Sequence, residues 1–326
     1  YEALTANESE LYLPVRALWS IQRRIEVENY TIPPEAYASS DPEPSLGNLL
    51  VKVKDPSFPR KAREHRVEVP STGRALPYSV WLQEEPAPLV YLIPGIGAHR
   101  GSTNAVALAE MAFQRGHSVA VVSSPFHREF LLNGLSQPYP GYTPSDAEDV
   151  YQALSRIHAD VAERSPGQAT SARLLGYSMG GIEGLHIASA QEGRPDGALR
   201  FERVVAINPP VDLMYAATHF DGYFDAPLRW PDDERDRRVL EVGLKAFLVA
   251  QKGLGSDKPL PFDRTESEFL IGLAGRNTII NPVAAIEERT GKGLTITPQR
   301  DPVRGPLLAV VNESSLESYG NQLIVP

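Results

Sequence analysis

The chain has 326 residues, 42% of them hydrophobic and 22% charged, and carries a net charge of −9 from 32 basic and 41 acidic side chains. That length suffices for one large α/β domain with an insertion, and the acidic balance without a basic block argues against nucleic acid as a partner. Cysteine is absent, which excludes disulfides, thiol catalysis and thiolate metal sites.

Residues 1–21 place Leu11, Val15, Leu18 and Trp19 at helical spacing, and residues 29–47 form a Pro/Ser/acid-rich connection. Residues 1–47 therefore read as a helical and extended arm wrapped on a core. Strands are predicted at 49–53, 66–69 and 76–82. The run 89–93 (LVYLI) is continuously apolar, as a strand buried on both faces should be. A helix follows over 102–115 and is closed by Gly116. Residues 118–122 are the next buried strand, 126–135 a short helix or irregular loop, and 145–164 a long amphipathic helix capped by Ser145. The run 173–175 is a strand, 182–190 a helix and 201–207 a strand. Alternation of strand and helix from 88 to 207 predicts a doubly wound, mostly parallel sheet, with a ligand site at the carboxyl ends of its strands. After 212 the pattern is helical, with segments at 213–220, 235–250, 267–274, 282–289 and 307–319. This second region reads as a helical cap. No uninterrupted apolar run approaches 18 residues, so no membrane span is expected.

The strand–turn–helix at 171–190 (SARLLGYSMGGIEGLHIASA) sets Ser178 at the apex of a glycine-flanked turn. A serine so placed is exposed at the mouth of the sheet and held in a strained backbone. The structural alternative is a tight turn with no chemistry. Two motifs, LLGYSMGG (174–181) and YLIPGIGAHRGS (91–102), together with their separation by two crossovers, resemble the α/β-hydrolase family over residues 65–212. The resemblance implies an α/β-hydrolase core spanning 48–211. It also implies Ser178 as the nucleophile of a serine esterase or lipase, and an oxyanion hole made by the backbone amides of Ile96 and Met179.

In the family's usual order an acid and a histidine follow the serine, and here the sequence departs from it. Only His186 and His219 lie downstream. His186 is two helical turns away, ~12 Å, and is too far to take the proton. His219 lies soon after the 201–207 strand, at the start of the cap, and is a candidate base that could reach the mouth, but the final strand that the family places before its histidine does not precede it. Asp212 is a candidate acid or a helix cap. Residues 307–311 are a cap helix or a further strand ending at Glu313. His99 and His127 lie on mouth loops, where they contact substrate or are merely exposed. No His/Asp/Glu spacing suits zinc, and the glycines of 95–101 do not match a dinucleotide fingerprint, so neither metal nor cofactor is expected.

The simplest account is a core completed by residues beyond 326, which carry the missing acid and histidine. A complementary C-terminal fragment would then dock beside the strand at 202–207. The function read from the residues and the resemblance is hydrolysis of a small-molecule carboxylic ester or related acyl substrate. The apolar stripe at 239–249 suits a lipid acyl chain or is simply cap core. Acyl transfer uses the same residues. A non-catalytic binding or scaffold protein on the same fold, or a split hydrolase that needs its fragment, are the rivals. A start at Tyr1 rather than Met, with no cysteine, favours a secreted or bacterial-envelope setting over the cytoplasm.

Overall fold

The computed structural model describes residues 30–252, 259–291 and 316–319. The predicted helix at 1–21 and the segment 307–315, with Glu313, lie outside them. Among the described residues six strands form one sheet: β1 (Arg63–Val69), β2 (Arg74–Trp81), β3 (Ala87–Ile93), β4 (Ser118–Val121), β5 (Ala169–Tyr177) and β6 (Arg203–Ile207), in the order β1-β2-β4-β3-β5-β6. β2 runs antiparallel to β1 and β4, whereas β4, β3, β5 and β6 are mutually parallel.

The connections are helices: α1 (Thr103–Phe113) after β3, α2 (Arg128–Asn133) and α3 (Thr143–Arg164) after β4, and α4 (Met179–Ser189) after β5. Alternate residues of β3 face opposite ways. Leu89, Tyr91 and Ile93 pack with Val150, Leu154 and Ile157 of α3 and Ile187 of α4. Leu92 packs instead with Ala105, Val106 and Ala109 of α1, alongside Phe58 and Trp81. Both faces of the sheet are therefore covered, which is why β3 reads as an unbroken apolar run. The fold class is the α/β, doubly wound and mostly parallel arrangement read from the sequence. β6 pairs only with β5 and is an edge among the described strands, with Val205 41% exposed.

Two local expectations change. Residues 49–53 are not a strand. A helical turn, Leu46–Leu49, buries Leu46, and the amides of Lys54 and Asp55 donate to the Glu110 carboxylate at 2.6 and 2.7 Å. Ser145 is not a cap, because α3 starts two residues earlier, with Pro144 in its first turn.

Beyond β6 lie α5 (Leu213–Phe224), α6 (Asp232–Lys252), α7 (Arg264–Asn277), α8 (Ile280–Thr290) and the turn α9 (Leu316–Tyr319). α6 and α7 build a second apolar cluster with Leu46, including Trp230, Val242, Ala246, Phe262 and Leu270. The stripe at 239–249 thus fills a core, which removes its support for a lipid-binding role. α5 and α7 touch closely, since a Cβ on Gly272 would lie 2.1 Å from the Phe224 amide nitrogen. A buried ion pair, Arg276–Asp221 at 3.0 Å, fastens the same two helices. The stretch Arg264–Thr290 has the length and mean hydropathy (1.3) of a membrane span, although no uninterrupted apolar run announced it, and 75% of the apolar window is buried inside the protein.

Candidate active site

Ser178 has φ 52° and ψ −121°, directly between β5 and α4. A non-glycine residue there costs on the order of 1–3 kcal/mol, so the surroundings must impose it. Its amide donates to the Ile207 carbonyl at 2.8 Å, and its carbonyl accepts from the Gly181 amide at 2.8 Å. The flanking glycines allow the chain to turn against β3. A Cβ on Gly176 would sit 2.1 Å from the Gly180 oxygen, and one on Gly180 would sit 2.2 Å from the Ile93 oxygen. No side chain fits at either position.

The loop after β3 closes on the serine from the other side. A Cβ on Gly95 would lie 3.2 Å from the Ser178 Cβ, so Ile96 follows a residue packed close to Ser178. Met179 opens α4, where first-turn amides have no intrahelical acceptor. Among the turn and loop hydrogen bonds of the described residues, none uses the amide of Ile96 or Met179.

The histidines are placed differently from one another. His186 is exposed on α4. His219 is exposed on α5, its ring stacked on Tyr215 (5.5 Å between centroids) and against Tyr223 (4.6 Å), over a shallow cavity of about 300 Å³ that Arg229 and Glu268 also line. Asp212 is a cap: its Oδ1 accepts the Tyr215 amide at 2.9 Å.

His99 and His127 meet at the mouth, with ring centroids 5.0 Å apart. The His99 Nδ1 accepts from the Gly101 amide at 3.0 Å, and its Nε2 faces the Glu129 carboxylate at 3.4 Å. The His127 Nδ1 accepts from the Glu129 amide at 3.1 Å and caps α2. Burial, reinforced by His99, pushes the His127 imidazole down to about 4, so it is neutral at pH 7. In the neutral His127 ring the lone pair is already in use and the proton is on Nε2. Neither ring is arranged to accept a proton from a serine. Among the described residues no side chain hydrogen-bonds to the Ser178 hydroxyl.

Two clusters were missed in the sequence. Glu129 collects Ser123, His99 and Arg100 beneath the β3 loop. Glu183, on α4, is fully buried with both carboxylate oxygens lacking hydrogen-bond partners, and the buried Asp146 Oδ1 also lacks one. Burial first, and Asp146 second, push Glu183 well above the ordinary carboxylate range. Burial pushes Asp146 up to about 7, against a hydrogen bond from the Gly141 amide. A charged residue inside the apolar, glycine-rich run of α4 was the available signal. Among the described residues, no group of His, Asp and Glu could hold a metal ion.

No family model matches this chain, and no curated protein matches it in sequence. Solved structures of similar shape include Est1E from Butyrivibrio proteoclasticus, at 14% identity and a TM-score of 0.33 over 48% of this chain and 55% of that one. An esterase from Pyrococcus furiosus is 13% identical, with a TM-score of 0.38 over 60% of this chain and 66% of that one. A dienelactone hydrolase from Anabaena variabilis is 16% identical, with a TM-score of 0.34 over 48% and 68%. The chain thus spans about half the length of Est1E.

Proposed function

We propose that the chain is a serine hydrolase that cleaves a carboxylic ester, or a related acyl compound, through an acyl-serine intermediate. The observation that carries this reading is the strained backbone of Ser178, held between β5 and α4 with Gly95 packed against its side chain. Folding tolerates such strain when the surrounding structure over-determines it, and it clusters at reactive sites. The Ser178 Oγ attacks the acyl carbon and loses its proton to a base. The carbonyl oxygen gains the charge, and the Ile96 and Met179 amides are the donors that meet it. Collapse expels the alcohol, protonated by the same base, and water then releases the acid by the reverse sequence. If another alcohol or amine takes the place of water, the same residues perform acyl transfer.

The base is a group outside the described residues, carried by this chain or by a complementary fragment. The arrangement of His99 and His127 supports this assignment, because both rings are tied to backbone amides. The absence of a hydrogen bond to the Ser178 hydroxyl among the described residues favours one rival, a non-catalytic binding protein that keeps the turn for its shape. A fluorophosphonate probe on the full chain separates the two. Labelling mapped to Ser178 and abolished by Ser178→Ala supports the hydrolase. A wild-type chain that stays unlabelled, alone and with its complementary fragment, leaves the binding reading.

A further inference from the structure

We infer that Glu129 is a positioning residue for the oxyanion donor at Ile96, acting by locking residues 98–100 of the β3 loop onto α2 and the end of β4. The inference rests, for its catalytic part, on the serine-hydrolase reading. Glu129 is only 16% exposed and lies on a six-residue helix whose start is fixed by His127. Its carboxylate gathers groups from two separate segments. The Ser123 hydroxyl, just past β4, donates at 2.7 Å. From the loop after β3, the Arg100 Nε lies at 3.2 Å and the His99 Nε2 at 3.4 Å. Arg100 then reaches across to β1, where its guanidinium meets Glu64 at 2.9 Å.

The backbone repeats the same attachment. The Arg100 amide donates to the Ser123 hydroxyl at 3.0 Å, and the Ser124 amide donates to the Ala98 carbonyl at 2.9 Å. One end of the loop is thereby fixed to 123–129. The other end, Gly95, touches Ser178. Between them Gly97, at φ 70°, leaves no slack, because a Cβ there would be 2.9 Å from the Thr278 oxygen at the end of α7. The Ile96 amide is thus suspended over a short span between two anchors, and Glu129 is the charge that makes one of them. Burial alone would push Glu129 up, but the His99 hydrogen bond, Arg100 and Ser123 outweigh it and hold the carboxyl below its ordinary range. It is an anion at working pH.

An amide that serves an oxyanion must be in place before the charge develops, and a shift of an ångström forfeits much of its effect. A purely structural carboxylate would change stability and leave chemistry alone. The test compares wild type with Glu129→Gln, which keeps the shape and removes the charge, and with Ser123→Ala, which removes the hydrogen bonds to Glu129 and from the Arg100 amide and leaves the ion pairs. Two readouts are taken on the full chain: amide hydrogen exchange across residues 95–101, and the rate of Ser178 labelling by a fluorophosphonate. Glu129→Gln should exchange about tenfold faster over 95–101 with little change in the strands, and should label about 10- to 100-fold more slowly. Ser123→Ala should fall between. Unchanged exchange over 95–101 in a folded Glu129→Gln overturns the anchor. Faster exchange with an unchanged labelling rate overturns the positioning role. If wild type does not label, alone or with a complementary fragment, the hydrolase reading fails, and the exchange result still decides whether Glu129 anchors the loop. Should Glu129→Gln not fold, Ser123→Ala decides on the same criteria.

Discussion

Asp146 and Glu183 make stability depend on pH in a direction opposite to that of most carboxylates. Asp146 is 1% exposed and is pushed up to about 7 from 3.8 by burial. A carboxyl raised in the folded state binds a proton that the unfolded chain releases. Its contribution is therefore fully favourable below the unfolded value and is lost as pH rises to the folded one. For Asp146 the loss between pH 5 and pH 8 is about 3 kcal/mol. Glu183 adds to it in the same direction. His127 opposes both: its folded value is depressed, so its penalty grows as pH falls, reaching about 2 kcal/mol at pH 5. The wild-type curve therefore mixes opposing contributions, and the difference from a variant must be read. Asp146→Asn keeps an oxygen for the Gly141 amide and removes the titration. Urea unfolding followed by tryptophan fluorescence at pH 5 and pH 8 should show the variant gaining about 3 kcal/mol on wild type across that interval. Parallel curves, with a constant offset at both pH values, would refute the argument that Asp146 is held protonated by burial.

Three further outcomes follow from the turn and its surroundings. Ser178→Gly removes the Cβ from a residue at φ 52° and should raise stability by roughly 1 kcal/mol while abolishing probe labelling, read by thermal melting and mass spectrometry. Gly180→Ala places a Cβ 2.2 Å from the Ile93 oxygen and should cost about 3 kcal/mol or more, with loss of labelling through displacement of the turn. Asp212→Ala removes a cap from α5 and should cost about 1 kcal/mol in the same melt with labelling unchanged; a large fall in labelling would make Asp212 the catalytic acid instead.

The sheet was legible because its central strands are buried on both faces. Residues 89–93 and 118–121 carry no polar alternation, and the helices between them have one apolar stripe each, so period and order were enough. The turn at Ser178 was legible for a local reason: Gly176 and Gly180 are required where backbone meets backbone, and the sequence records that requirement directly. Residues 49–53 misled because their apolar pattern serves a helical turn and a loop held by Glu110, a partner about 55 positions away. Asp212 could not be assigned from sequence, since a cap and a catalytic acid are the same residue type at the same place.

Short-range facts can be read from the chain alone: which runs are strands, where the backbone must turn, and which serine sits at the apex. Where each charge ends up depends on the folded arrangement. Arg100 and Glu129 are 29 positions apart and converge under one loop; Asp146 and Glu183 come together with no cation opposite them among the described residues; His99 and His127 spend their lone pairs on backbone amides. Periodicity and backbone sterics act over a few residues and leave a local signature, whereas the protonation and pairing of a side chain depend on what distant segments bring against it and on how much water they exclude.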